Sequence, residues 1–186
     1  MELVEIMRNA LRDSIKETMA TIFASEPKFI EGEPAEMHNY DLTCSIGFAG
    51  GLEGSVIALF KKQDAALIVA KMLGMDVNDV AGDVVDGIGE VLNMISGGIK
   101  NRLDAENYSF DINIPTVVNG HELNVLVGAG VTMLKVMVNI ENFGFGMILS
   151  YKAHEAGKEP SKFAARKASI KSDDLLKNLI AKDKQP

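Results

Sequence analysis

Two runs rich in β-forming residues, MLKVMVNI (133–140) and FGFGMILSY (143–151), are separated only by Glu141-Asn142. A link that short turns the chain straight back, so the runs must pair as antiparallel neighbours; parallel pairing needs a crossover of about a dozen residues or more. The same pattern occurs earlier in the chain. Tyr40, Leu42, Cys44, Ile46 and Phe48 alternate with small or polar residues, Gly50-Gly51 supplies a turn, and GSVIALF returns as a second strand. FDINIPTVV and HELNVLVGAGV read as two further strands joined at Asn119-Gly120.

Helical spacing accounts for most of what remains. Leu3, Met7, Leu11, Ile15 and Met19 recur on one face, so residues 2–24 are expected to form an amphipathic helix ending before Pro27, with a loop to Asn39. Residues 64–73 read as a second helix stopped by Gly74, and a long one is expected from about Val80 to Asp104. The expected fold is therefore α+β: an antiparallel sheet, hairpin plus meander, packed against the N-terminal helix and the long central one. Residues 1–151 form the expected domain. Residues 152–186, rich in Lys, Ala and Ser, are an appendage with a possible short helix capped by Ser172.

Composition removes several classes of function. Residues 1–151 carry 10 Lys and Arg against 21 Asp and Glu, a net −11, whereas residues 152–186 carry 9 against 5, a net +4. So acidic a body repels phosphate backbones, and nucleic acid is not an expected partner. The N-terminus lacks the basic start of a signal peptide, and no uncharged run reaches the ~20 residues of a membrane span; a cytoplasmic protein without membrane insertion is expected. Cys44 is alone, and His38, His121 and His154 are scattered without ligand spacing, so no bound metal is expected. Neither a Walker-type loop nor a dinucleotide fingerprint follows a strand, and no Ser stands in a nucleophile elbow.

The central helix contains DGIGEVLNMISGG (86–98). Glycines at 87, 89, 97 and 98 each cost a helix roughly 1 kcal/mol relative to alanine, so a return is to be sought. Val84, Val85, Ile88, Val91, Leu92, Ile95 and Ile99 cover one arc, expected to face the core. At 100° per residue, Asp86, Glu90, Asn93 and Gly97 share the opposite stripe, with Gly87 and Met94 at its border. Glycines beside an outward carboxylate and carboxamide let another protein's backbone approach; for Gly89 and Gly98, packing against a neighbouring element serves equally well.

Asp86-x3-Glu90-x2-Asn93 followed by Met-Ile-Ser-Gly-Gly, on a helix between a hairpin and a meander, resembles the signature of the CheX/CheC/FliY chemotaxis phosphatases. The order of elements agrees up to about Tyr151. Members that carry the motif once and pair as dimers are CheX-like. The resemblance implies a phosphatase that removes phosphate from the phospho-aspartate of CheY or a CheY-like response regulator, acting as a homodimer joined at a sheet edge. It implies that Asn93 orients the hydrolytic water, that Glu90 pairs with the lysine lining the regulator's active site, and that Asp86, Gly87, Met94 and Gly97 support the face or contact the partner. Mg²⁺ is expected in the regulator, and no cofactor in this chain.

Asp13, Glu17 and Ala20 on the first helix repeat the spacing with alanine in place of asparagine, so one site per chain is expected. Two readings compete with the enzyme. One is a non-catalytic module that binds a response regulator or flagellar switch component; the other is a structural dimer. A pure binder has no need of a carboxamide at position 93.

Overall fold

The helical spacing near the N-terminus is realised in α1 (Leu3–Phe23), which buries Met7, Leu11, Ile15 and Met19. The computed structural model describes residues 2–31, 40–120 and 125–153. After α1 come β1 (Lys28–Glu31), β2 (Leu42–Gly50), β3 (Leu52–Phe60), α2 (Lys62–Leu73) and α3 (Val84–Ala105). β4 (Phe110–Ile112), β5 (Thr116–Asn119), β6 (Thr132–Ile140) and β7 (Phe143–Ala153) complete the described elements. The tail expectations, including a helix capped by Ser172, fall on residues outside the described ones, as do His38, His121 and His154.

The seven strands form one antiparallel sheet in the order β1-β6-β7-β3-β2-β4, with β5 also paired to β2. Alternation sorts their side chains. Cys44, Ile46 and Phe48 of β2, Val56, Ala58 and Phe60 of β3, and Met147 and Leu149 of β7 join the buried faces of α1, α2 and α3 in one core. Tyr40, Ile57, Leu59, Met137 and Ile148 form a smaller cluster apart from it. The expected fold class is thus observed, with the β6–β7 hairpin turning at Glu141-Asn142 and the β2–β3 hairpin at Gly50-Gly51.

Four local expectations are corrected. The segment read as loop after Pro27 contains β1, whose four residues pair with β6 from Lys28↔Asn139 to Glu31↔Val136. That is too short to display an alternation. FDINIPTVV is two strands, because Pro115 lacks an N–H and the pairing with β2 is interrupted around it; both pieces pair with β2. Residues 125–131 form no strand despite their alternating valines and leucine: Gly130 adopts φ +78° and Leu126 is 89% exposed, while residues 121–124 of that expected strand, which follow Asn119-Gly120, lie outside the described ones. Finally, α3 starts at Val84 rather than Val80, with a turn over 81–83 before it.

Candidate active site

α3 lies against α1 and α2 on one side and against β2, β3, β4 and β5 on the other. Ile88, Val91, Leu92, Ile95 and Ile99 are buried there, each side chain contributing about 1.5–3 kcal/mol through loss of water contact. Asp86 and Glu90 are exposed, and Asn93, Met94 and Gly97 are half-buried beside them. Asp86 also falls in the helix's first turn, where a carboxylate is favoured by the unpaired N–H groups. Val85 departs from the expected core arc: in the first turn, beyond the flank of its neighbours, it is 52% exposed.

The four glycines separate into two kinds. A Cβ on Gly87 would stand 2.5 Å from a methyl of Val69, so Gly87 is buried and permits contact between α3 and α2. Its expected place at the partner-facing border is corrected: it serves the interior. A Cβ on Gly98 would lie 2.9 Å from Ser14 Oγ on α1, and one on Gly89 would lie 3.4 Å from Pro115. Only Gly97 faces open space, with no atom within 4 Å of an added Cβ. On the exposed stripe, therefore, one glycine has no packing reason to be there.

Within the stripe, Asn93 Nδ2 donates to Glu90 Oε2 at 3.4 Å, a long and weak contact. The carboxamide oxygen remains available to accept a hydrogen from water. Neither Asp86 nor Glu90 has a cationic partner among the described residues. A cleft of about 250 Å³ runs along these side chains, with Val85, Asp86, Glu90 and Asn93 on its helical side, Pro115 and Val117 across from them, and Gly89 between. Sequence reasoning missed Pro115 and Val117; a proline inside an otherwise regular strand pattern was the available signal.

Burial pushes the Cys44 thiol up to about 11, and its side chain is enclosed in the core, so it is no nucleophile. Among the described residues no group of three or more His, Cys, Asp or Glu is placed to hold a metal ion, and no helix is long and apolar enough to cross a membrane. On α1, Asp13, Glu17 and Ala20 are exposed as the spacing predicts, but Glu17 accepts from Arg102 Nη2 at 2.8 Å. Arg102 also donates to Ser14 Oγ and to the Gly98 carbonyl, which fixes it over the seam between α1 and α3.

Residues 42–139 match the family model described as chemotaxis phosphatase CheX. The CheY-P phosphatase CheX of Thermotoga maritima is 33% identical over 150 residues, covering 78% of this chain and 95% of that protein. Among solved structures, chemotaxis protein CheX from Vibrio vulnificus shares the fold with a TM-score of 0.69 at 23% identity, over 78% of this chain and 99% of that one. A chain of the CheX-CheY-BeF3-Mg²⁺ complex from Borrelia burgdorferi does so with a TM-score of 0.66 at 19% identity, over 81% and 98% respectively.

Proposed function

The chain belongs to the CheX family of chemotaxis phosphatases, and on that premise we propose that it hydrolyses the phospho-aspartate of CheY or a CheY-like response regulator through Asn93 and Glu90. The observation that carries this reading is the stripe itself: an exposed carboxylate with no cationic partner among the described residues, a half-exposed carboxamide one turn on, and an open glycine beside them.

An acyl phosphate is already activated, and what it lacks is a water in line with phosphorus. Asn93 supplies that position. Its carboxamide accepts a hydrogen from the water without bringing a charge that would repel the phosphoryl oxygens, as a carboxylate would. The water oxygen bonds to phosphorus, the bond to the aspartyl oxygen breaks, and inorganic phosphate and the free carboxylate result. Holding the water is worth about 3 kcal/mol, a factor of roughly 10² in rate. Glu90 pairs with a lysine of the regulator and sets the register of docking. Asp86 adds negative charge on the same side, and Met94 and Gly97 lie where the partner's chain comes close. The Mg²⁺ belongs to the regulator, where it neutralises charge on the phosphoryl oxygens; this chain needs no cofactor.

The protein acts as a cytoplasmic homodimer joined along a sheet edge. Among the described residues the sheet has two edges for this, one at β1 and one at β4 and β5. Light scattering that gives the mass of one chain at micromolar concentration removes the dimer and leaves the chemistry untouched.

The test of the activity is the decay of phosphorylated CheY from the same organism, with Mg²⁺, in the presence of wild-type protein or Asn93→Ala. Acceleration by wild type alone is the expected result. Equal acceleration by Asn93→Ala overturns the role of the carboxamide, and binding without acceleration by either leaves a docking module.

A further inference from the structure

Val85, which lines the α3 cleft, and Ile114, next in sequence to the cleft-lining Pro115, are exposed apolar side chains, and Pro115 itself is half-buried. Val85 is 52% exposed on the helical side; across from it, Pro115 lines the cleft, and its neighbour Ile114 is 85% exposed. Single exposed apolar side chains are ordinary, but here they flank the cleft that holds two carboxylates with no cationic partner among the described residues. The geometry points to a docking surface formed by Val85, Ile114 and Pro115, which closes as an apolar rim around the Asp86 and Glu90 contacts. This rests on the phosphatase reading, and the occupant is the phosphorylated receiver domain of the regulator.

The physical need is plain. Charged contacts on a wet helix face contribute little, because water screens them and two long side chains must be ordered. An apolar rim that excludes water strengthens what it encloses and supplies the area-dependent part of the affinity. The far wall is also prepared for this. Proline fixes φ at 115 and restricts Ile114 before it, and the Asn113 N–H donates to the Gly47 carbonyl at 2.8 Å, so docking has little loop to order. Gly89 lets the wall stand this near the helix, since an added Cβ would already be in contact with Pro115 at 3.4 Å.

Charge selects the occupant. Two carboxylates with no cation among the described residues, set inside an apolar rim, fit a partner that presents a cation flanked by apolar side chains. A second copy bringing the same acidic cleft would be repelled.

The experiment compares wild type, Val85→Ser, Ile114→Ser and the double variant. Each is measured for melting temperature, solution mass, Kd for CheY loaded with beryllofluoride and Mg²⁺, and kcat and KM on phosphorylated CheY. Both positions are exposed, so melting should not move. Each single change should raise Kd and KM about five- to tenfold with kcat within about twofold, and the double change about thirtyfold or more. Asn93→Ala, measured alongside, should lower kcat with little effect on Kd. Unchanged Kd and KM in the double variant, with wild type active, overturn the docking surface and leave the phosphatase standing. A fall in solution mass also overturns it, by assigning the rim to a second copy. Wild type without activity or binding removes both.

Discussion

α1 and α3 lie side by side and carry nearly the same exposed pattern, yet only one has the makings of a site. On α1 the glutamate of the pattern, Glu17, is held by Arg102, which also crowns a cleft of about 300 Å³ beside Asp13. On α3 the corresponding Glu90 faces no cation among the described residues, and its neighbour is an asparagine rather than an alanine. The lesson is that spacing places side chains on a face, but availability depends on what the fold sets opposite them. A carboxylate already paired within the chain has little left to offer a partner.

The sharpest way to break this comparison is at Asn93. Asn93→Ala should make α3 resemble α1 and reduce phosphatase activity about a hundredfold in a phospho-CheY decay assay, with the melting temperature unchanged. Next in size is the seam between the two helices. Gly98→Ala should push against Ser14 and cost about 2 kcal/mol, seen as a melting temperature lower by roughly 4–8 °C, whereas activity of the folded fraction persists. Glu90→Ala should raise KM and lower kcat/KM about tenfold; a change confined to kcat would contradict its role in docking. Gly97→Ala, next to Gly98 in sequence but open to solvent, should do the reverse of its neighbour. It should raise the melting temperature by about 2–4 °C through helix propensity while slowing dephosphorylation, because a methyl then stands where the regulator approaches. The smallest expected effect is none: Ala20→Asn placed in the Asn93→Ala background should restore no activity while Arg102 keeps Glu17, and recovery would show that the amide alone separates the two helices.

Much of this was readable before the structure. The three helices, both tight hairpins and the outward stripe of Asp86, Glu90 and Asn93 follow from period and turn length, which are local properties. What escaped was set by partners distant in sequence. β1 exists because β6 offers it an edge, and four residues hold no period of their own. Residues 125–131 alternate like a strand but pair with no strand in the described structure. Gly87 and Gly97 look alike in sequence, and only the presence of Val69 against one of them tells a packing glycine from an open one. The second wall of the cleft was hidden for the same reason, since Pro115 is over 20 residues from the Gly89 and Glu90 it faces.

The strand order has a consequence for how the chain assembles as it leaves the ribosome. β1, near the N-terminus, has its partner in β6, more than 100 residues later, and β3 waits for β7. By contrast α3 packs on α1, α2, β2 and β3, all synthesised before it, and on β4 and β5, which follow at once. The helix bearing Glu90 and Asn93 can therefore settle on a nascent half-domain while the β3 edge is still bare. Closing those long-range pairs is the slow part of folding, and until the β6–β7 hairpin inserts between β3 and β1, the newborn protein exposes its most apolar strand to whatever chaperone or neighbouring chain arrives first.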